Sequence, residues 1–93
     1  MPIEAEILVE PDSLYTGGAR DIVTFTAKVL NRESVLQYLW DYGDGNTGRG
    51  QQAKHTYLRS GNYKITLTVQ DTENPSEQSY EFTRTITVYR RNP

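Results

Sequence analysis

Residues 38–50 read YLWDYGDGNTGRG, and the interpretation of this stretch decides the fold that the rest of the chain must fit. Its glycines at positions 43, 45 and 48 have the G-x-G-x-x-G spacing of a dinucleotide-binding loop. Asp44 and Asn46 lie between these glycines, and Asp41 comes just before them. The stretch is therefore a loop that binds phosphate, a loop that binds a metal, or a turn that connects two strands.

The phosphate interpretation fails because no helix is indicated after the glycines. A dinucleotide loop needs a helix that begins directly after it, because the N–H groups at the helix N-terminus meet the pyrophosphate. The next residues, RGQQAKHTYL at 49–58, are too few and wrongly patterned for that helix, and Asp44 would place a negative charge between the first two glycines. A lone glycine motif out of this context is weak evidence.

An EF-hand calcium loop is excluded by its own spacing. Such a loop needs oxygen ligands at its third and fifth positions and a bidentate Glu at its twelfth. Counting from Asp41 puts glycines at the third and fifth positions and Gln52 at the twelfth, and counting from Asp44 puts His55 at the twelfth. A calcium site of another kind stays open, with Asp41, Asp44 and the distant Asp71 as candidate ligands.

The turn interpretation needs the fewest assumptions. Asp44-Gly45 is a strong tight-turn pair, since the Asp side chain accepts a hydrogen bond from nearby backbone and Gly adopts a positive φ without strain. A strand that ends in Trp-Asp-Tyr would then reverse, and residues 47–57, TGRGQQAKHTY, would return as its partner strand. We favour this interpretation.

Alternation of apolar and polar residues along almost the whole chain predicts an all-β protein. Strands are predicted at 3–9, 21–29, 35–42, 63–70 and 80–89, with turn signals at 31–34, 43–50, 60–62 and 71–76. The third strand carries the row Leu36, Tyr38, Trp40 and Tyr42 on one face. This pattern predicts an immunoglobulin-like sandwich of two antiparallel sheets with about seven strands. A small closed barrel is the alternative.

One charged residue interrupts the inner row of the last predicted strand. Phe82, Ile86 and Val88 share the inner parity, and Arg84 lies between them. Either a β-bulge or a position near an open sheet edge explains it, since at an edge the long stem covers apolar surface while the guanidinium reaches water.

The bulk composition limits the partners and sites of the chain. Its 93 residues fit one domain, 1–93, which looks as if it were cut from a longer multidomain protein. A formal net charge of −2 without a basic stripe argues against nucleic-acid binding. The absence of cysteine excludes disulfides and thiolate metal sites, and no apolar run is long enough for membrane insertion. We expect a monomer.

Catalysis is not expected. A catalytic histidine needs a nucleophile within hydrogen-bond distance and an orienting carboxylate, but His55 is the only histidine and every serine falls in or beside a predicted turn. Asp41 and Asp44, three residues apart on one turn, have no cleft across which to act as a glycosidase pair. The aromatic row would stack on sugars only if it faced solvent; we expect it in the core, which leaves surface tyrosines such as Tyr15 and Tyr89 as alternative platforms.

Several ordered motifs together resemble the polycystic-kidney-disease (PKD) domain family. Its hallmark is Trp-Asp-Phe/Tyr-Gly-Asp-Gly, then His-x-Tyr, then Gly-x-Tyr before an alternating strand that ends in Asp. The corresponding residues here are Trp40, Asp41, Tyr42, Gly43, Asp44, Gly45, His55, Tyr57, Gly61, Tyr63 and Asp71. The resemblance implies an immunoglobulin-like sandwich used as an extracellular module in surface-layer proteins, secreted proteases and chitinases, and the ectodomains of large membrane proteins.

The resemblance also implies structural roles for the signature residues. Trp40 is expected between the sheets, and Tyr63 is expected to return its hydroxyl to the backbone, as at a tyrosine corner. His55 is expected to pack beside the loop and to bond Asp41 or a backbone carbonyl. Some members bind calcium with polar residues before the first strand, where this chain has only Glu4 and Glu6.

The expected function is that of a noncatalytic extracellular, cell-surface or periplasmic module that acts as a spacer and protein-interaction domain. Its partners would be the neighbouring domains of the parent chain. The alternatives are an accessory binding module for polysaccharide or fibrous protein, which requires an exposed aromatic row, and a calcium-stiffened linker that uses Asp41, Asp44 or Asp71.

Overall fold

The structure is a computed structural model that describes residues 3–10, 14–15, 22–31, 36–73 and 79–90. The described residues form eight strands: β1 (Ala5–Glu10), β2 (Leu14–Tyr15), β3 (Val23–Val29), β4 (Leu36–Asp41), β5 (Thr47–Arg49), β6 (Gln52–His55), β7 (Gly61–Asp71) and β8 (Tyr80–Tyr89). Among these residues there is no helix of the length and apolar character needed to cross a membrane.

The strands form two sheets, which confirms the predicted immunoglobulin-like sandwich. One sheet has the order β1-β3-β6 and the other β2-β8-β7-β4-β5. All pairs are antiparallel except β2 with β8, where Leu14 lies beside Val88 in a parallel pair. The sandwich measures 50 × 20 × 18 Å along its principal axes.

The core lies between the inner faces of the two sheets. It follows the predicted alternation, because residues 23, 25 and 27 of β3 and residues 65, 67, 69 and 71 of β7 are buried while the residues between them are at least partly exposed. Trp40 is fully buried, with its ring centroid 5.8 Å from that of Phe25 across the sandwich. Burying a large apolar side chain contributes about 1.5–3 kcal/mol. The fully buried apolar residues are Val23, Phe25, Ala27, Trp40, Tyr57, Ile65, Leu67, Val69 and Val88.

The chain changes sheets at Gly50, so the prediction of one continuous partner strand over 47–57 was wrong. β5 pairs with β4, whereas β6 pairs with β3 in the opposite sheet. Gly50 has a φ of 107°, its N–H donates to the Tyr38 carbonyl at 3.2 Å, and its own carbonyl accepts the Trp40 Nε1–H at 2.7 Å. The Trp40 indole N–H, buried between the sheets, is therefore satisfied by the backbone at the crossing.

Arg84 lies where β8 has no second neighbouring strand among the described residues, and not in a bulge. The β7–β8 register is continuous from Gly61 beside Val88 to Val69 beside Tyr80, which excludes the bulge. Arg84 is exposed, and its Nη1 donates to the Ile7 carbonyl of β1 at 2.7 Å. One long side chain thus joins the last strand of one sheet to the edge strand of the other.

The chain enters and leaves the described sandwich at opposite ends. Ile7 lies beside Arg84, and Leu14 lies beside Val88, so the first strands run in the same direction as β8. We call the end where β1 and β8 begin the first pole, and the end where β8 finishes at Tyr89 the second pole. The ten residues of β8 separate the poles by about 30 Å at a rise of about 3.3 Å per residue.

Candidate functional site

The loop after β4 is a hydrogen-bonded turn that lies beside Lys64, in the middle of β7. The Tyr42 N–H donates to the Asn46 carbonyl at 3.1 Å and closes the turn. The Asp41 Oδ1 accepts the Gly43 N–H at 2.9 Å, and the Asp44 Oδ1 accepts the Asn46 N–H at 3.1 Å. Both aspartates therefore use side-chain oxygens to satisfy backbone donors two residues later, which is the turn chemistry that the sequence indicates.

At two positions, Gly43 of this loop and Gly48 of β5, the structure has no room for a side chain. Gly43 has a φ of 82°, and a Cβ there would lie 2.7 Å from the Lys64 carbonyl oxygen of β7. A Cβ on Gly48 would collide with the hydroxyl of Tyr42 and would lie 2.9 Å from its Cζ. The glycine spacing thus reflects a close approach to β7 and room for a buried ring.

His55, Asp44 and two tyrosines form a cluster that joins the two sheets. The Asp44 Oδ2 lies 2.6 Å from His55 Nε2 on β6. The imidazole stacks on Tyr42 with a centroid distance of 4.2 Å and an interplanar angle of 6°, and it meets Tyr57 edge-on at 4.8 Å. The Tyr57 hydroxyl donates to the Tyr42 carbonyl at 2.8 Å. We call Tyr42, Asp44, His55 and Tyr57 the sheet-joining cluster.

The residue that bonds His55 is not one of the partners predicted from the sequence. Asp41 or a backbone carbonyl was expected from the sequence, but the carboxylate that meets His55 belongs to Asp44. Asp41 is exposed and its Oδ1 accepts the Gly43 N–H. Asp44 lies farther along the turn and is half-buried, so it reaches the opposite sheet.

The electrostatics of the cluster suit a structural role. Burial by itself raises the pKa of Asp44, but the hydrogen bonds from His55 and the Asn46 N–H outweigh burial, and the pKa lies below its usual value. Burial, followed by the Asp44 charge, raises the pKa of Tyr57 far above its usual range. The Tyr57 phenol is therefore neutral at ordinary pH and serves as a hydrogen-bond donor.

The cluster offers an acid–base pair without an activated nucleophile. The Asp44 carboxylate faces His55 directly, and the one hydroxyl in the cluster with a buried hydrogen bond, that of Tyr57, donates to a backbone carbonyl. Among the described residues, no buried side-chain nitrogen or oxygen lacks a hydrogen-bond partner. What this arrangement does chemically is fix the loop against β6.

The structure separates Asp71 from the other two candidate calcium ligands, Asp41 and Asp44, which share one loop. Asp41 lies opposite Thr66 of β7, and Asp71 lies opposite Leu36 at the other end of β4, so five residues or about 17 Å of strand lie between the two aspartates. Asp71 is buried, and its Oδ1 accepts the Glu73 N–H at 2.9 Å. Within the described ranges no group of three or more His, Asp and Glu side chains could hold a metal ion. Calcium binding stays a prediction.

The aromatic row divides between core and edge. Trp40 and Tyr42 are buried, whereas Tyr38 is half-buried beside the sheet crossing. Tyr89 is 57% exposed at the second pole, and the side chain of Tyr15 falls outside the described part of the structure. The row as a whole is therefore not a solvent-facing platform.

Tyr63 makes the hydrogen bond that the resemblance implied. Its hydroxyl donates to the Arg59 carbonyl four residues earlier at 2.6 Å, and its ring packs on Tyr57 with a centroid distance of 4.3 Å. The loop between β6 and β7 is thereby tied to the start of β7.

The residue signature, the sandwich and the sheet-joining cluster agree with one family. The sequence matches the PKD domain family over residues 5–88. The chain belongs to that family. Among curated proteins, it is 33% identical over 67 residues to collagenase ColQ1 of Bacillus cereus (strain Q1), a match that covers 70% of this chain and 7% of the collagenase.

Two solved structures show the same fold as this PKD domain. The PKD1 domain of Vibrio anguillarum Epp superposes with a TM-score of 0.75 at 24% identity and covers 98% of each chain. A structure from work on the promiscuous specificity of carbohydrate-binding modules of the β-sandwich superfamily has a TM-score of 0.78 at 28% identity. That match covers 95% of this PKD domain and 34% of the other chain.

The matched relatives are much longer than this PKD domain. The chain spans only about 7–8% of the collagenases that it matches over 70–87% of its own length. It thus corresponds to an accessory module of much longer proteins of this kind.

A groove beside the edge of β4 was not predicted from the sequence. The groove has a volume of about 510 Å³, and its lining includes Leu39, which is 42% exposed. The signal was an apolar residue on the polar parity of a strand, which alone is too common to indicate a site. The groove is lined by Leu36, Gln37, Tyr38, Leu39, Arg49 and Gln51, among others.

Proposed function

We propose that this PKD domain is a noncatalytic spacer within a longer extracellular protein, where it holds the neighbouring domains of the parent chain apart. The observation that carries the proposal is the position of the two chain ends. The first strands and β8 run in the same direction, so the backbone enters at the first pole and leaves at the second. A rigid sandwich with this path adds its own length between the domains on either side of it.

Two cross-sheet contacts in the middle of this path support rigidity. Arg84 joins β8 to β1, and the sheet-joining cluster joins the loop after β4 to β6. The similarity to a small part of a collagenase supports a place in a multidomain chain. The extracellular location is part of the proposal and is supported by the use of family members as extracellular modules.

Small-angle X-ray scattering of two copies joined in tandem, Pro93 to Met1, tests the spacer role. Since each copy measures 50 Å along its longest axis and the chain enters and leaves it at opposite poles, we expect the maximum dimension of the tandem to be about twice that of one copy. A tandem whose maximum dimension hardly exceeds that of a single copy would contradict the spacer proposal, because the two sandwiches would then lie side by side.

An accessory binding role for polysaccharide or fibrous protein is the second candidate. It is supported by the similarity to a structure from work on carbohydrate-binding modules. Because Trp40 and Tyr42 are buried, the most exposed aromatic side chain among the described residues is that of Tyr89. Cosedimentation with chitin, cellulose and fibrillar collagen tests this role. Sedimentation of the domain with one of these polymers, lost in the variant Tyr89→Ala, would support the binding role. Equal recovery of the domain in the supernatant with and without the polymers would contradict it.

Calcium stiffening is a separate proposal for the same spacer. It is supported by the two carboxylates of one loop, of which Asp41 is exposed and Asp44 half-buried; Asp71, at the first pole, would need an ion of its own. The test is the melting temperature with calcium and with a chelator. A rise with calcium that Asp41→Asn removes would support calcium binding, and equal melting temperatures would contradict it.

A further inference from the structure

The second sheet has an incomplete edge beside the groove at β4. β4 spans Leu36–Asp41, but its outer neighbour β5 pairs only with residues 39–41 before the chain crosses to the other sheet. The first half of β4 therefore lacks a neighbouring strand on this side among the described residues. An incomplete edge of this kind offers backbone donors and acceptors to an added strand.

The backbone groups that face this edge can be assigned from the alternation of an antiparallel ladder. The Tyr38 carbonyl accepts the Gly50 N–H, so Tyr38 faces away from β7. In such a ladder the N–H and C=O of one residue face the same side, and every second residue repeats that side. The Tyr38 N–H and both backbone groups of Leu36 therefore face the edge. The Gly50 carbonyl, which would otherwise pair with the Tyr38 N–H, accepts the Trp40 indole instead.

The side chains around the edge differ between the two faces of the sheet. On the inner side, Leu36 and Tyr38 are only half-buried, so part of their apolar surface is uncovered. On the outer side lie Leu39, Gln37 and Arg49, which pairs with Leu39 across β4 and β5. Within the described residues no carboxylate lies within ion-pair distance of Arg49. The edge thus combines apolar surface on its inner side with a cationic side chain on its outer side.

We propose that this edge binds an extended peptide segment of a partner protein, in which apolar residues alternate with acidic ones. The segment adds to β4 as a further strand, in line with β5, and its backbone pairs with Leu36 and Tyr38. Because side chains alternate along a strand, the apolar residues cover Leu36 and Tyr38 while the acidic residues face Arg49. Backbone pairing supplies the affinity, and the charge of Arg49 selects acidic over basic segments.

This inference goes beyond the proposed function and does not depend on the spacer role. The scattering of the tandem tests the spacer without reference to the groove. A peptide titration tests the groove without reference to how the module is joined to its neighbours, so the two can fail separately.

The probe is the capped heptapeptide acetyl-Val-Glu-Val-Glu-Val-Glu-Val-amide, added to the ¹⁵N-labelled domain at low salt. Its controls are the same peptide with Lys in place of Glu, and a block peptide with the same composition but no alternation. We expect amide shifts confined to residues 36–39 and 49–51 with the alternating acidic peptide. Shifts elsewhere, no shifts at peptide concentrations of about 1 mM, or equal binding of the Lys or block peptide would overturn the proposal.

A charge-reversal pair makes the test specific. Arg49→Glu is expected to lower the affinity for the acidic peptide at least tenfold. The same variant should bind the Lys peptide more tightly than the unchanged domain does. Arg59→Glu, an exposed position in the loop before β7, makes the same change in net charge away from the groove and should leave both affinities unchanged. Equal weakening by the two variants would overturn the proposal, since binding would then follow net charge only. A native-like spectrum of each variant shows that the fold is retained.

Discussion

Gly48 leaves room for the ring of Tyr42, because a Cβ at this position would collide with the tyrosine hydroxyl. Tyr42 is buried and stacked on His55, so its ring has little freedom to move away. We expect Gly48→Ala to lower the free energy of unfolding by about 1–3 kcal/mol, as measured by urea denaturation. Thr47→Ala, at an exposed neighbouring position, is the control. Equal stability of Gly48→Ala and the unchanged domain would show that the ring is not held as described.

The Asp44 carboxylate gives the domain a predictable acid sensitivity. Its pKa is lowered in the folded state from an ordinary value of 3.8, so its contribution to stability is complete above that value and is lost as the pH falls through the lowered folded-state pKa. Asp44→Asn should cost about 1–2 kcal/mol at pH 7, and the cost should shrink below about pH 4.

Urea denaturation of Asp44→Asn at pH 7 and at pH 3 measures this difference. The matched control is Glu81→Gln, which removes an exposed carboxylate from the outer face of β8 and should cost little at either pH. A cost for Asp44→Asn that is the same at both pH values would contradict the role given to its charge.

The hydrogen-bond partner of His55 could not be predicted from the sequence. The resemblance to the PKD family predicts that the histidine packs beside the glycine loop, because the family signature contains both the loop and the His-x-Tyr motif. It does not indicate which aspartate faces it, since Asp41 and Asp44 are both acidic, both in the turn and three residues apart. The choice depends on the path of the turn, which carries Asp44 toward β6 and leaves the Asp41 Oδ1 on the Gly43 N–H.

At the level of elements, β1 depends on Arg84 for part of its attachment. Within the described part of the chain β1 pairs with β3 on one side only, and the Arg84 guanidinium donates a hydrogen bond to the Ile7 carbonyl. We expect Arg84→Ala to cost about 1 kcal/mol and to speed amide hydrogen exchange in β1 more than in β7. Thr83→Ala, on the adjacent exposed position, is the control. Uniform faster exchange in both strands would contradict a local role for Arg84.

The strands differ in how well the sequence predicts them. β8 was predicted at its observed bounds, 80–89, because turn signals and alternation agree there. β5 and β6 were merged into one strand, since a single return strand was expected after the tight turn and the sequence does not show that Gly50 adopts the positive φ at which the chain leaves the sheet. β2, two residues long, is too short to give a periodic signal.

At the scale of the whole molecule, the fold was predictable and the groove was not. Alternation, turn residues and the ordered motifs around Trp40 each point to the sandwich, and local and global signals agree. The groove arises because β5 is shorter than β4 and the chain then leaves the sheet. That difference in strand length is a property of tertiary structure, so no local pattern around Leu39 or Arg49 indicates it.

The distance between the two ends of the sandwich is the property on which the spacer role depends. Because the chain has no cysteine, Glu4→Cys with Arg90→Cys places a spin label at each pole, and Glu4→Cys with Gln70→Cys places both labels at the first pole. All three positions are exposed.

The measurement is double electron–electron resonance on these two labelled pairs. For the pair at opposite poles we expect one narrow distance distribution at about 30 Å or longer, and for the pair at one pole a shorter distance. A flexible chain of this length would also be extended, but with a broad distribution, so the width of the distribution is decisive. A broad distribution, or a separation between the poles no longer than that of the control pair, would contradict the proposal that this domain is a rigid spacer.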